Sequence, residues 1–190
     1  MGNSVECTYD RVTHNDIQLA TVYYPILIDL AKHKHCLTYG ELVDKAKKLH
    51  PDLAYVKNAI PVSTGRKLDV IRIYTKERDL PDLSSLIINK NTGEVGSGFP
   101  SDPDATREKV FALDWEQVST EFEWFVREAE KKITPRKKRK EPEARELMYA
   151  YYKEHKNTLP PTVTDLRELI IELLMEGFSA EEAYELAQKE

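Results

Sequence analysis

Three basic side chains near the middle of the chain have types and spacing suited to contact with nucleic acid. Arg66, Lys67 and Arg72 fall within one segment whose apolar residues recur at helical spacing. Guanidinium and ammonium groups on one helix face contact phosphate oxygens and base edges. We therefore expect these residues to face outward and to act at a DNA groove. A charge run of this kind is also typical of a solvated helix face, so both interpretations stay open.

No pattern typical of an enzyme stands out. Ser-His-Asp, Cys-His, paired-carboxylate and metal-ligand spacings are not recognisable in the sequence. Cys7 and Cys36 are the only cysteines, and their spacing fits neither a metal knuckle nor a redox motif. Gly93, Gly96 and Gly98 lack the spacing of a phosphate-binding loop. We predict a non-enzymatic protein with no cofactor and no bound metal.

A helix followed by a hairpin must position the basic residues. The apolar period predicts a helix over 64–78, ending shortly before a proline. Residues 84–89 then predict a short strand, and 94–99 predict a glycine-rich return strand after a turn. Lys90 and Asn91 would lie at the hairpin tip and contact the DNA backbone. Asn-Thr-Gly is equally ordinary turn chemistry that needs no ligand.

The preceding segment predicts further helices. Apolar residues recur at helical spacing over 16–33 despite an internal proline. The pair Thr38–Glu41 has the spacing of a capping box and predicts a helix over 39–49. Lys57 falls in a short helical piece that ends before Pro61, and we count it among the expected DNA contacts.

The phrase LTYGELVDKAKKL, at 37–49, resembles the helix that follows the first short strand in many winged-helix domains. The domain found in alkylguanine-DNA alkyltransferases is one of them. The resemblance covers about 16–99 and implies a winged helix-turn-helix fold, with double-stranded DNA as its partner. The alkyltransferase reaction is not implied, because the Pro-Cys-His-Arg nucleophile motif of that family is absent.

A helical pattern from Asp104, interrupted near Leu113, carries many aromatic residues. Aromatic residues at helical spacing are more often core than ligand-stacking groups, so we expect them to pack against the first helix. This inner face comprises Val110, Phe111, Trp115, Val118, Phe122, Phe125 and Val126.

The clearest boundary is the segment KKITPRKKRKEP at 131–142, which holds two prolines and an unbroken basic run. Successive like charges do not pack into a core, so it predicts a solvated linker, a basic arm on the nucleic-acid backbone, or a nuclear import signal if the source is eukaryotic. The run could equally neutralise neighbouring acidic residues. It consists of Arg136, Lys137, Lys138, Arg139 and Lys140.

The remaining chain predicts a small helical module at 143–190. Its first helix, over 142–156, places Leu147, Met148, Tyr151 and Tyr152 on the apolar side. A second helix would end at Gly177, and Ser179–Glu182 has the spacing of a capping box for a third. These short helices have little to bury their apolar faces, so we expect them to bind a protein partner or to self-associate.

The charge and the hydropathy of the sequence limit the environment in which the protein can work and the partners that it can bind. The 190 residues carry 28 Lys and Arg against 33 Asp and Glu, a formal net charge of -5. An acidic balance weakens the expectation of DNA binding, because phosphate contacts supply much of the affinity. No apolar run approaches the length of a membrane span, and no secretory signal is recognisable. We predict a cytoplasmic protein, nuclear if the source is eukaryotic, with no membrane partner.

Together these patterns predict a mainly α fold with a small β-hairpin (α+β). A winged-helix-like domain with an added aromatic helix would occupy 1–130, followed by the basic linker at 131–142 and a helical hairpin module. The leading functional hypothesis is a regulatory DNA-binding protein. The alternative is a protein–protein adaptor or inhibitor, of the phage or defence-system type, that uses the winged-helix scaffold to bind a protein.

Overall fold

The longest helix of the described chain, α1 (His14–His33), lies at the centre of the first unit. The computed structural model describes residues 9–96, 98–116 and 119–188, and the chain divides into two units after Thr134. The Thr13 hydroxyl oxygen accepts from the Asp16 backbone N–H, and the Asp16 carboxylate accepts from the Thr13 N–H. This reciprocal cap starts α1, whose interior contains Pro25. The predicted first helix is confirmed.

Three further helices follow in the predicted order. Strand β1 (Leu37–Thr38) leads into α2 (Tyr39–Leu49), and Thr38 and Glu41 form the predicted capping box. The short helix α3 (Ala54–Lys57) follows. Helix α4 (Thr64–Glu77) then packs against α1, and most of its side chains are buried.

The β element differs from the predicted hairpin. A 3₁₀ turn, Leu83–Leu86, leads to β2 (Ile87–Ile88), which pairs in parallel with β1. Residue 97 lies outside the described residues. The described residues of 94–99 form no return strand. The Asn89 N–H donates to the Glu94 carbonyl oxygen in a tight turn. The mainly α fold with a small β element is confirmed. The partner of β2 is β1 and not a return strand, and this pairing accompanies the burial of Ile87 in the core.

Two helices from the aromatic segment complete the first unit. They are α5 (Pro103–Ala112) and α6 (Phe122–Lys132). Phe122 stacks on Tyr24 of α1 with ring centroids 3.9 Å apart, and Trp115 is buried. The predicted packing of this aromatic face against α1 is confirmed. Val118, which we assigned to the same face, lies outside the described residues.

The second unit has its own core, built from three α-helices in its described part. They are α7 (Glu141–His155), α8 (Arg167–Met175) and α9 (Ala180–Ala187), with a 3₁₀ turn, Pro161–Thr164, between α7 and α8. Gly177 follows α8 with φ +98°, and Ser179–Glu182 caps α9, both as predicted. The boundary at Thr134 places the basic run in this unit and not in a separate linker.

Throughout the described residues, every helix is too short or too polar to cross a membrane.

Candidate functional site

Arg66 and Lys67, the first two predicted DNA contacts, are buried in the core. Their exposed fractions are 6% and 1%. Arg66 Nη2 lies 2.9 Å from Asp16 Oδ2, and Lys67 Nζ lies 3.3 Å from Asp16 Oδ1. The prediction that both residues face outward is wrong. The face of α4 that carries them packs against α1, where Asp16 supplies the carboxylate that buried cations require.

Asp16 is held ionised by these neighbours. Burial alone would raise the pKa of Asp16, but Arg66 and Lys67, together with the hydrogen bonds of Thr13, lower the pKa below its ordinary value of 3.8. Hydrogen bonds from Thr13 act in the same direction. The three charges therefore fasten the first turn of α4 to the first turn of α1.

Arg72 is also committed to intramolecular partners. Its Nε donates to Asp82 Oδ2 at 2.9 Å, and its Nη1 donates to Asp69 Oδ1 at 3.1 Å. Its Nη2 donates to the Ser84 hydroxyl oxygen. The guanidinium joins α4 to the 3₁₀ turn before β2, so contact with a DNA groove would require these bonds to break. A structural role explains Arg72 without a nucleic acid.

Lys57, Lys90 and Asn91 remain on the surface. Lys57 lies on α3, and the other two lie in the turn after β2. The Asn91 backbone N–H donates to Asn89 Oδ1, which is local turn chemistry. The backbone-contact role of these side chains stays a prediction.

Two arginines of the basic run pack against the turn between α8 and α9. Arg139 Nη1 donates to the carbonyl oxygens of Leu174 and Phe178 at 3.0 and 2.7 Å. The Arg136 guanidinium lies 4.1 Å from the centroid of the Phe178 ring. The expectation of a wholly solvated linker is wrong for this pair, because the last carbonyls of a helix lack partners within the helix and accept from nearby cationic side chains.

The side chains of the lysines in the run are more exposed than these two arginines. Lys137 and Lys140 are exposed, and Lys138 Nζ lies 3.4 Å from a Glu176 carboxylate oxygen. The contact of these lysines with a nucleic-acid backbone stays a prediction.

A groove in the second unit is a site that the sequence analysis missed. It encloses a volume of about 480 Å³. One wall is a face of α7, on which Arg145, Met148, Tyr149 and Tyr152 follow one another at positions i, i+3, i+4 and i+7. Tyr149 is 64% exposed at this wall, so a large aromatic ring borders open space.

The other elements of the unit close the groove on its remaining sides. The 3₁₀ turn contributes Val163 and Thr164, and α8 contributes Arg167 and Ile170. Tyr184 of α9 lies at the base. Its hydroxyl donates to the Met148 carbonyl oxygen at 2.8 Å, and burial raises the pKa of this tyrosine to about 12. The base of the groove is therefore apolar and fixed by a buried hydrogen bond.

Both formally charged residues that line the groove are cationic. Arg145 Nη2 lies 2.6 Å from a carboxylate oxygen of Glu141, one turn earlier on α7. Arg167 is exposed at the start of α8, with no ion pair among the described residues. No carboxylate lines the groove in the described part of the chain. The groove is therefore apolar, and Arg145 and Arg167 form its positively charged rim.

The sequence did contain a signal for this groove. The predicted apolar side of the first module helix comprised Leu147, Met148, Tyr151 and Tyr152, and Tyr149 stands outside that stripe. Five large apolar or aromatic residues in the six positions 147–152 of α7 cover more of the helix surface than one packed face needs. The part of this apolar surface that α8 and α9 do not cover forms the wall of the groove.

Among the described residues, no cluster of three or more His, Cys, Asp or Glu side chains is suited to hold a metal ion.

Comparisons with protein-family models, with curated proteins and with solved structures each found no match. The fold and site define the chain as a mainly α protein of two units with an apolar groove in the second.

Proposed function

We propose that this chain is a non-enzymatic, cytoplasmic adaptor that binds a protein partner through the groove of its second unit. The observation that carries the proposal is the position of Tyr149, a large aromatic side chain that is 64% exposed beside an apolar slot. Exposed aromatic rings next to a pocket are typical of protein interfaces, where tyrosine is enriched among the residues that dominate affinity.

The openness of the wall favours a macromolecular partner over a small ligand. Small-molecule sites bury most of the ligand surface inside a concave pocket. Tyr149 leaves its side of the slot largely in solvent, whereas Met148 and Ile170 are buried at the base. A partner that covers Tyr149 from outside would bury the ring, and a ligand confined to the slot would not.

A photo-crosslinking phenylalanine analogue at position 149 tests the proposal. The matched control places the same residue at Trp124, which is 61% exposed in the first unit. We expect a discrete protein adduct from position 149 in nuclease-treated lysate of the source organism, and not from position 124. The absence of any adduct from 149, or equal adducts from both positions, would contradict the proposal.

Duplex DNA binding is a second candidate, favoured by the exposed positions of Lys57, Lys90 and Asn91 and by the winged-helix resemblance. Lys137 and Lys140 would add backbone contacts. Arg66, Lys67 and Arg72 are no longer among the proposed DNA contacts. The DNA-binding hypothesis therefore has none of the predicted α4 residues to contact base edges.

A further inference from the structure

We infer that the groove accepts a short amphipathic helix of the partner, with carboxylates placed beside its apolar face. This inference rests on the proposed adaptor function and adds the chemistry of the bound segment. Three features carry it: the length of the α7 wall, the charge of the rim and the hydroxyl groups of the two tyrosines on the wall.

The length of the wall matches two turns of a helix. From Arg145 to Tyr152 the wall covers seven residue steps, which is about 10 Å along α7 at about 1.5 Å per residue. A bound helix that presents apolar side chains at i, i+3 or i+4, and i+7 spans the same distance. Grooves between helices commonly receive helices in this way, whereas a peptide that binds by adding a strand to a sheet needs a free strand edge.

The charge of the rim selects acidic flanks. Arg167 is exposed and makes no ion pair among the described residues, so its guanidinium is accessible to a partner carboxylate. Arg145 is held by Glu141 in an exposed pair on one helix, a kind of contact that is weak and readily exchanged. With no carboxylate in the lining, basic flanks on the bound helix would be repelled.

The tyrosines supply both apolar area and hydrogen bonds. Tyr149 and Tyr152 stand one turn apart on the α7 wall. Each ring offers an apolar face to an anchor residue and a hydroxyl to a flanking carboxylate, a combination that explains why tyrosine is enriched at interfaces. Tyr149 is the larger contributor, because it has the most surface left to bury.

Two labelled peptides of about four helical turns test the inference on the full chain. Both carry leucine at i, i+3, i+4 and i+7, and they differ only in glutamate or lysine flanks. We expect fluorescence anisotropy at low salt to show at least about tenfold tighter binding of the glutamate peptide. Tyr149→Ala should weaken that binding about tenfold, and Arg167→Glu should reverse the order of the two peptides. Arg127→Glu, the same charge change on exposed α6 surface, is the matched control and should leave both affinities unchanged.

The outcomes separate this inference from the adaptor function. Equal binding of both peptides, or no effect of Tyr149→Ala, would overturn the inference. If neither peptide binds while position 149 crosslinks to a protein, the amphipathic helix is wrong and the adaptor function stands. An adduct with a second copy of this chain would overturn the acidic helix in favour of self-association. If peptides and crosslinking both fail, both proposals fall.

Discussion

Asp16 and Arg66 form an ion pair of 2.9 Å in the core of the first unit, although 50 positions separate them in the sequence. The pair joins the first turns of α1 and α4, and Lys67 joins the same carboxylate from the next position of α4. The segment whose basic composition predicts a DNA-reading helix therefore stabilises the fold from within the core. This pair is the basis of the first two predictions.

Asp16→Asn should destabilise the first unit by about 3–5 kcal/mol, because it removes the carboxylate that lies within 3.3 Å of two buried cations. Urea unfolding followed by tryptophan fluorescence measures the loss, since Trp115 and Trp124 both lie in this unit. Replacing Asp16, Arg66 and Lys67 together by apolar residues of similar volume should restore much of the stability. An Asp16→Asn variant as stable as the wild type would show that the pair contributes nothing.

The stability of the first unit should fall in acid. The pKa of Asp16 is below 3.8 in the folded state, so ionised Asp16 contributes its full stabilisation above about pH 4. That contribution is lost as the pH falls through the folded-state pKa. Free energies of unfolding measured from pH 7 to pH 2 should therefore decline less steeply in Asp16→Asn than in the wild type. Parallel curves would contradict this assignment.

Gly177→Ala should destabilise the second unit more than Gly93→Ala destabilises the first. Both glycines have positive φ, +98° and +71°, so each substitution carries a backbone cost of about 1–2 kcal/mol. A Cβ at Gly177 would also lie 2.7 Å from the Lys137 carbonyl oxygen, whereas one at Gly93 would meet nothing within 4 Å. Amide hydrogen exchange within each unit measures the two losses. Equal losses would show that the chain at Lys137 shifts without cost.

Arg139→Lys should weaken the second unit by about 1–2 kcal/mol. Arg139 Nη1 donates to Leu174 and Phe178 while Nε lies 3.7 Å from a Glu143 carboxylate oxygen, and a single ammonium nitrogen does not reach all three acceptors. Lys140→Gln is the matched control in the same run and should change stability by less than about 0.5 kcal/mol, since Lys140 is exposed. Exchange rates of the α8 and α9 amides report the difference. Equal effects of the two variants would restore the solvated-linker interpretation.

Random duplex DNA should bind the full chain weakly, with a shallow dependence on salt, because Arg66, Lys67 and Arg72 are engaged with carboxylates. A gel-shift series from low to physiological salt measures the slope, to which each neutralised phosphate contributes about -0.9. A steep slope that Lys57→Glu with Lys90→Glu removes would instead support the second candidate function. The same pair of substitutions should leave binding of the glutamate peptide unchanged.

The starts of α2 and α9 and the end of α8 followed from the sequence because the groups that set them are close in the chain. The Thr38–Glu41 and Ser179–Glu182 boxes join residues three positions apart, and Gly177 ends α8 through its own φ. The aromatic face around Phe122 was predictable for a similar reason, since apolar spacing along one helix marks its buried side.

The sequence by itself thus determined most of the helical segments and the mainly α class. Only the tertiary structure decided which charges are free. Arg66 and Lys67 are buried because α1 brings Asp16 to them, and Arg139 packs where α8 ends, 35 positions further along the chain at Leu174. The groove beside Tyr149 likewise exists only where α7, α8 and α9 leave surface uncovered. Local hydrogen bonds fix secondary structure, whereas the burial and pairing of a charge depend on residues that only folding brings together.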